Sequence, residues 1–301
     1  MITALVLSAF IPKAHMAYWV HQIDPFVFRF PFPFFTEGIR WYGVAYLLGF
    51  FFTYLFLKLC SQKRRSPLSS QSHESLLISI ALGMLMGGRV GYVIFYDFAF
   101  WTENPLWIFQ FWHGGMSFHG AVIGIAIAIA CFSQYHHISF FQLTDLCCVI
   151  APLGIFFGRI ANFINGELFG KITTLPWAIR FPQSAISVPI AEIPPRHPSQ
   201  LYEALLEGLI LLFILQRRFW KHPTRIHGRL TADFLCLYSI MRILAEIFRE
   251  PDAPLLWQLS RGQVLSMGLG FLGIGVYFWT KGQDRKHSTY AMDDSAKGAE
   301  R

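Results

Sequence analysis

Two stretches of this chain hold residues that can bind an anion in an otherwise apolar setting. The first is Gly158-Arg159-Ile160-Ala161-Asn162-Phe163-Ile164-Asn165-Gly166-Glu167-Leu168-Phe169-Gly170, directly after the apolar run Phe140 to Phe157. It places four hydrogen-bonding side chains, one of them always cationic, within nine residues. The second is Tyr238, Arg242, Glu246 and Arg249, whose spacing of four, four and three puts them on one face of a helix. Ile240, Ile243, Leu244 and Ile247 cover the rest of that helix. A polar stripe on an apolar helix must face protein or a wet cavity, because polar groups in hydrocarbon are costly. Plainer readings exist for both stretches. Asn and Gly are ordinary at a helix end, and an Arg–Glu–Arg stripe can simply lock helices together, with Glu246 holding the arginines in place.

Further candidates are scattered. Arg89 lies in Gly87-Gly88-Arg89-Val90-Gly91-Tyr92, and His119 in Gly114-Gly115-Met116-Ser117-Phe118-His119-Gly120. His119 is the one residue there that titrates near neutrality, so it is a candidate base as well as a possible structural histidine. Tyr42, beside Trp41, reads either as a site residue or as a belt anchor. The embedded arginines Arg89, Arg159 and Arg242 would each cost about 2.5–3.5 kcal/mol at mid-bilayer. Glu246 and Glu203 are placed to neutralise them, whereas Asp145 and Glu207 read as too far inward. The resulting surplus of positive charge predicts an anionic ligand, and the planar guanidinium fork suits a phosphate. A phospholipid headgroup reached sideways from the bilayer is the economical choice.

The elements that must position these groups are apolar runs. The chain has 301 residues, 54% of them hydrophobic and 14% charged, with mean hydropathy +0.42, well below the roughly 25% charged content of globular domains. Its net charge of +7 is confined to short basic clusters between apolar runs, which argues for membrane topology and against nucleic acid. Seven runs approach the roughly 20 residues a spanning helix needs: Trp41–Cys60, Leu76–Tyr96, Ser117–Ser133, Phe140–Arg159, Leu201–Leu215, Leu230–Phe248 and Val264–Thr280. The third and fifth are short and interrupted. Lys58, Lys63, Arg64 and Arg65, then Arg217, Arg218, Lys221, Arg225 and Arg229, then Lys281, Arg285 and Lys286 mark the cytoplasmic side. The expected fold is therefore all-α and polytopic, with the N-terminus outside and seven transmembrane helices. Residues 1–38 form an outer interfacial segment, 39–280 the membrane domain and 281–301 a disordered cytoplasmic tail. The proline-rich stretch from Ile160 to Gln200, about 40 residues, is long for an idle connection and predicts a small outward-facing head. Trp101 to Trp112 suits the headgroup layer. Met1 to Phe10 lacks the basic n-region of a signal peptide. The five cysteines show no metal-ligand spacing and read as inert thiols. No internal repeat is visible, which counts against a transporter.

With those residues in hand, the chain resembles the bacterial prolipoprotein diacylglyceryl transferases. Gly158 to Gly170 is similar to the family signature, and so are Arg40 to Gly43, Gly114 to Gly120, His197 to Glu203 and Arg242 to Asp252. The resemblance runs in order from about Asp24 to Tyr277. Ala121 departs from the second glycine usual after the histidine, a change a helix tolerates. The resemblance implies a seven-span enzyme of the bacterial inner membrane without metal or cofactor. It would move the diacylglyceryl group of phosphatidylglycerol to the lipobox cysteine of a prolipoprotein signal peptide, forming a thioether and releasing glycerol phosphate. It also implies that Arg159 and Arg242 are essential and that Tyr42, His119, Asn162, Glu167, Gly170, Glu246 and Arg249 matter. His119, Arg242 and Tyr42 are then the expected catalytic residues. The expected binding residues are Arg159, Asn162, Glu167, Gly170, Arg89, Tyr238, Glu246 and Arg249. The competing class is an anion transporter or channel using the same arginines as a binding ring.

Overall fold

A computed structural model describes residues 18–29, 38–110, 114–221, 226–251, 255 and 258–299, with backbone alone from residue 284 onward. The expectations for Met1–Phe10, Phe111, Trp112, Arg225 and Asp252 lie outside the described residues. The long helices follow the apolar runs. They are α1 (Trp41–Gln62), α2 (Ser70–Tyr96), α4 (Phe118–Tyr135), α5 (Phe140–Asn165), α8 (Arg229–Glu246) and α9 (Arg261–Ala299), with a short α3 (Phe98–Glu103) after α2. Between α5 and α8, α6 (Ser199–Glu203) runs through a π-helical segment (Ala204–Ile210) into α7 (Leu211–Lys221).

Among the described residues, six helical stretches are long and apolar enough to cross a membrane: Trp41–Gln62, Gln71–Tyr96, Phe118–Tyr135, Phe140–Asn165, Ser199–Lys221 and Arg261–Gln283. Large apolar side chains such as Leu47, Phe51, Phe213 and Phe271 stand exposed along them. A water-soluble monomer rarely exposes contiguous apolar surface on this scale, so the molecule is a polytopic membrane protein. The helix α8 has 18 residues and carries the polar stripe, which lowers its apolarity relative to the other six.

Close helix contact is built from small residues. A Cβ on Gly83, Gly87 or Gly91 of α2 would strike the backbone of α4 at Gly124 or Gly120, and the reverse holds for Gly120 and Gly124. Such spacing lets two helix backbones touch where lipid removes the usual hydrophobic driving force. Ser69 and Ser117 cap α2 and α4, accepting from the N–H of Ser72 and Gly120. At one end of the bundle, Leu57, Cys60, Leu76, Leu143, Leu146 and Val149 form a dense core. Nearby, the Asp145 carboxylate of α5 accepts from the N–H of Gly228 and Thr231, each at 2.7 Å, and so caps the start of α8.

The other end carries a small head. Strand β1 (Trp19–Val20) pairs in parallel with β4 (Ile179–Arg180), and β2 (Phe26–Arg29) pairs antiparallel with β3 (Gly38–Arg40), which leads directly into α1. Isolated bridges join Gly170 to Arg249 and Ile172 to Arg196. The stretch after α5 is thereby stitched to the stretches that precede α6 and follow α8.

Several boundaries differ from the sequence expectation. The helix of the second run starts at Ser70 rather than Leu76, and that of the fifth ends at Lys221 rather than Leu215. Two further ends have a visible reason. The fourth run was expected to end at Arg159, but α5 continues for six residues through Asn165, so Arg159 and Asn162 project from a helix that is still intact. Gly166 ends it in the left-handed region (φ 66°), with the N–H of Gly166 and of Glu167 returning to the carbonyls of Phe163 and Asn162. Asn165-Gly166 is therefore turn chemistry. The last helix runs on past Thr280 to Ala299, because the end of an apolar run does not by itself end a helix.

Candidate active site

At the head end, α5, α6 with its π segment, and α8 converge on a buried cluster of charge. Arg159 projects from α5 and meets Glu203 Oε2 at 2.8 Å and Glu207 Oε2 at 3.2 Å. Arg242 projects from α8 and meets the same two carboxylates at 3.0 and 3.1 Å, and adds Glu246 Oε2 at 2.8 Å. Arg249 reaches Glu203 Oε1 at 3.3 Å. Glu246 also accepts from Ser260 Oγ at 2.8 Å, which ties the stripe to the start of α9. Tyr238 sits buried on the same face, one turn before Arg242, and stacks on Phe234.

This arrangement corrects two expectations. Glu207 was placed too far inward to neutralise an arginine, yet it is fully buried and bonded to both Arg159 and Arg242. The reason is local: the π segment changes the rotation per residue where Glu203 and Glu207 emerge, and Gly208 lets that segment lie against the backbone of Phe156 in α5. The expected surplus of positive charge is also absent from this cluster. Among the described residues, Arg159, Arg242 and Arg249 face Glu203, Glu207 and Glu246.

A second, uncharged-to-anionic network adjoins the first. Tyr42, at the start of α1, donates to Glu167 Oε1 at 2.5 Å. Asn162 Nδ2 donates to the same oxygen at 2.9 Å and also to the Tyr42 hydroxyl. Asn162 lies one turn beyond Arg159 on α5, so both project to the same side. Gln200 Nε2 donates to the Glu167 carbonyl at 2.6 Å, and Ser199 Oγ to the Leu168 carbonyl at 2.9 Å. The N-terminus of α6 is thus pinned to the turn that presents Glu167. Gly170 donates to the His197 carbonyl at 2.8 Å, and a Cβ there would strike the Phe248 carbonyl and His197. A side chain at 170 would push apart the three strands of chain that bring Glu167, Glu203 and Arg249 together.

Sequence reasoning therefore named Arg159, Asn162, Glu167, Gly170, Tyr238, Arg242, Glu246, Arg249 and Tyr42, and the fold gathers all nine around one corner of the bundle. Glu203 was expected as a counter-charge to the embedded arginines but not as a site residue, Gln200 entered only within the stretch from His197 to Glu203, and Glu207 was set aside. Their signal was present in the sequence as a second polar stripe, since Glu203 and Glu207 are four apart. Two candidates stand elsewhere. Arg89 is only 1% exposed and donates to the carbonyls of Ile108, Gly114, Gly115 and Trp107. Its guanidinium also lies over the Trp107 ring, 4.9 Å from the centroid, so it fastens the segment after α3 onto α2. His119 is exposed at the first turn of α4 with its ring against Phe118; among the described residues it makes no polar contact with the arginine cluster.

Comparison with known proteins identifies the family of the chain. Residues 28–279 match the family model described as prolipoprotein diacylglyceryl transferase. Proteins named phosphatidylglycerol–prolipoprotein diacylglyceryl transferase are similar over most of the chain. That of Rhizobium meliloti is 40% identical over 268 residues, covering 84% of this chain and 90% of its own length. That of Rhodospirillum rubrum is 44% identical over 247 residues, with 80% and 87% covered, and that of Pasteurella multocida 43% over 248, with 82% and 86% covered. A match this long, with the polar residues of both networks inside it, means that the chain belongs to the prolipoprotein diacylglyceryl transferase family.

Proposed function

We propose that this protein transfers the diacylglyceryl group of phosphatidylglycerol to the thiol of a lipobox cysteine in a prolipoprotein signal peptide. A sulfur–carbon bond forms at the glyceryl carbon, the carbon–oxygen bond to phosphate breaks, and glycerol phosphate leaves. One observation carries the assignment of the site: Arg159 and Arg242, from two different membrane helices, converge on one point at the head end of an apolar bundle. Two steps limit the chemistry, namely generating thiolate from a group of pKa about 8.5 and stabilising charge on the departing phosphate. Arg159 and Arg242 answer the second, acting through bidentate hydrogen bonds in a dry setting where such bonds are strong. His119 answers the first, its exposed imidazole being accessible to an incoming peptide. Tyr42, Asn162 and Glu167 form the adjoining wall and orient the glyceryl moiety. Tyr238, Glu246, Arg249 and Gly170 hold that wall and the arginines in register. Arg89 serves the site through the segment it fastens.

The lipid and peptide substrates set the placement in the bacterial inner membrane. In this reading α8 is the seventh span, hidden from lipid by its neighbours. The N-terminus and head lie outside and α9 ends in the cytoplasm, where the basic clusters place it. A lipobox cysteine sits where a signal peptide's apolar segment meets the outer face, at the level of the cluster. The relatives named above are transferases, which leaves the anion-transporter reading without support. The test uses purified protein with phosphatidylglycerol and a lipobox peptide, following glycerol phosphate and free thiol together. Equal loss of thiol and gain of glycerol phosphate is expected. Glycerol phosphate released without the peptide would make the protein a phospholipase instead.

A further inference from the structure

The charge balance of the cluster poses a problem for an anionic substrate. Among the described residues, three guanidiniums already face three carboxylates, and the side chains of Glu203 and Glu207 are 1% and 0% exposed. A phosphodiester brings one more negative charge into this low-dielectric corner, where an unbalanced charge is strongly disfavoured. A carboxylate could leave for water or take up a proton. Leaving is blocked, because Glu207 rides on the π segment, which is seated through Gly208 against the Phe156 backbone, and it is bonded to arginines on two other helices. Resting on the reading that Arg159 and Arg242 bind the lipid phosphate, we propose that Glu207 is the resident counter-anion of that site, and that the phosphodiester binds together with one proton accepted by Glu207.

The surroundings single out Glu207. It faces Arg159 from α5 and Arg242 from α8, with Glu203 on its own helix and Glu246, Tyr238 and Arg249 on and just after α8. Among the described residues, Glu246 meets Arg242 and not Arg159, so only Glu203 and Glu207 lie between the two phosphate-binding arginines. Of these, Glu203 has three guanidinium partners and Glu207 two, and neutralising Glu207 forfeits less. The cycle balances. A proton enters from solvent with the lipid, the thiol proton leaves through the base, and the departing glycerol phosphate carries away the Glu207 proton. Product release then restores the carboxylate as partner of both arginines. The protein would in this way reject its own product by refilling the phosphate position.

The experiment is calorimetric titration of the detergent-solubilised protein with short-chain phosphatidylglycerol, in two buffers that differ in ionisation enthalpy, with diacylglycerol as the phosphate-free control. About one proton taken up per phosphatidylglycerol is expected, and affinity falling up to tenfold per pH unit as pH rises. Glu207→Gln should remove the uptake and tighten binding severalfold, lowering KM, whereas a merely structural glutamate would loosen it. Binding with no proton uptake in the unmodified protein overturns the proposal, as does weaker binding by a folded Glu207→Gln protein. If that variant does not fold, the two-buffer comparison on the unmodified protein decides alone. Failure of phosphatidylglycerol to bind better than diacylglycerol would instead overturn the phosphate-site reading on which this rests.

Discussion

Arg159 makes bonds through two nitrogens to two carboxylates, a geometry that a lysine ammonium cannot reproduce although it keeps the charge. Arg159→Lys is therefore expected to lower transfer by about 10²–10³-fold, measured as initial rate of peptide modification at saturating lipid; near-normal turnover would remove the phosphate clamp from the account. His119→Gln separates two roles. As the base, it should depress kcat by at least about 10²-fold and flatten the pH–rate profile while leaving thermal stability unchanged. At this scale the sequence was most legible where chemistry is least negotiable. An arginine in an apolar run cannot shed its charge, so Arg159 and Arg242 stood out as candidate site residues before any fold was known. Tyr42 was not distinguishable from a belt anchor, because its meaning depends on Glu167, which is 125 residues away and meets it only in the folded chain. Glu207 was misplaced because counting residues along a regular helix ignores the π segment.

The helices themselves were readable from their apolar runs, but their ends and their contacts were not. The end of α5 is decided by Gly166 in a left-handed turn rather than by the first polar residue, so the boundary drawn at Arg159 fell short. The face that α2 shows to α4 is set by Gly83, Gly87 and Gly91, four residues apart, and by Gly120 and Gly124 opposite them. Such spacing was present in the sequence, but it names no partner until both helices are placed. A large side chain at this crossing has nowhere to go. Gly124→Leu should destabilise the protein by about 1–3 kcal/mol, read as a lower unfolding temperature in detergent, with Gly124→Ala intermediate. Unchanged stability in the leucine variant would contradict the close crossing.

At the scale of the whole molecule, the membrane bundle was written in composition and the proline-rich stretch from Ile160 to Gln200 stood out, but the strand pairing beside it was not legible. The pairing of Trp19–Val20 with Ile179–Arg180 joins residues far apart in sequence through two-residue strands, too short to leave a periodic signal. Its anchor is His21, fully buried with its ring 5.4 Å from Phe163 and 5.3 Å from Phe181. Burial holds the His21 imidazole below its usual range. The unfolded segment therefore binds more protons than the folded one below a pH of about 6.5, and docking of this strand weakens as pH falls through that region. Protection of the Val20 and His21 amides, corrected for the intrinsic pH dependence of amide exchange, should fall on acidification, and His21→Phe should abolish that dependence; protection that is flat with pH in the unmodified protein would count against it. The central claim joins all three scales: a head-end arginine site in a membrane bundle that delivers a diacylglyceryl group to sulfur. Its most direct test supplies the purified protein with phosphatidylglycerol labelled in its acyl chains and with lipobox peptides bearing Cys or Ser at the acceptor position. Label is predicted in the Cys peptide alone, resistant to thioester cleavage; label in the Ser peptide, or in neither, would contradict the account.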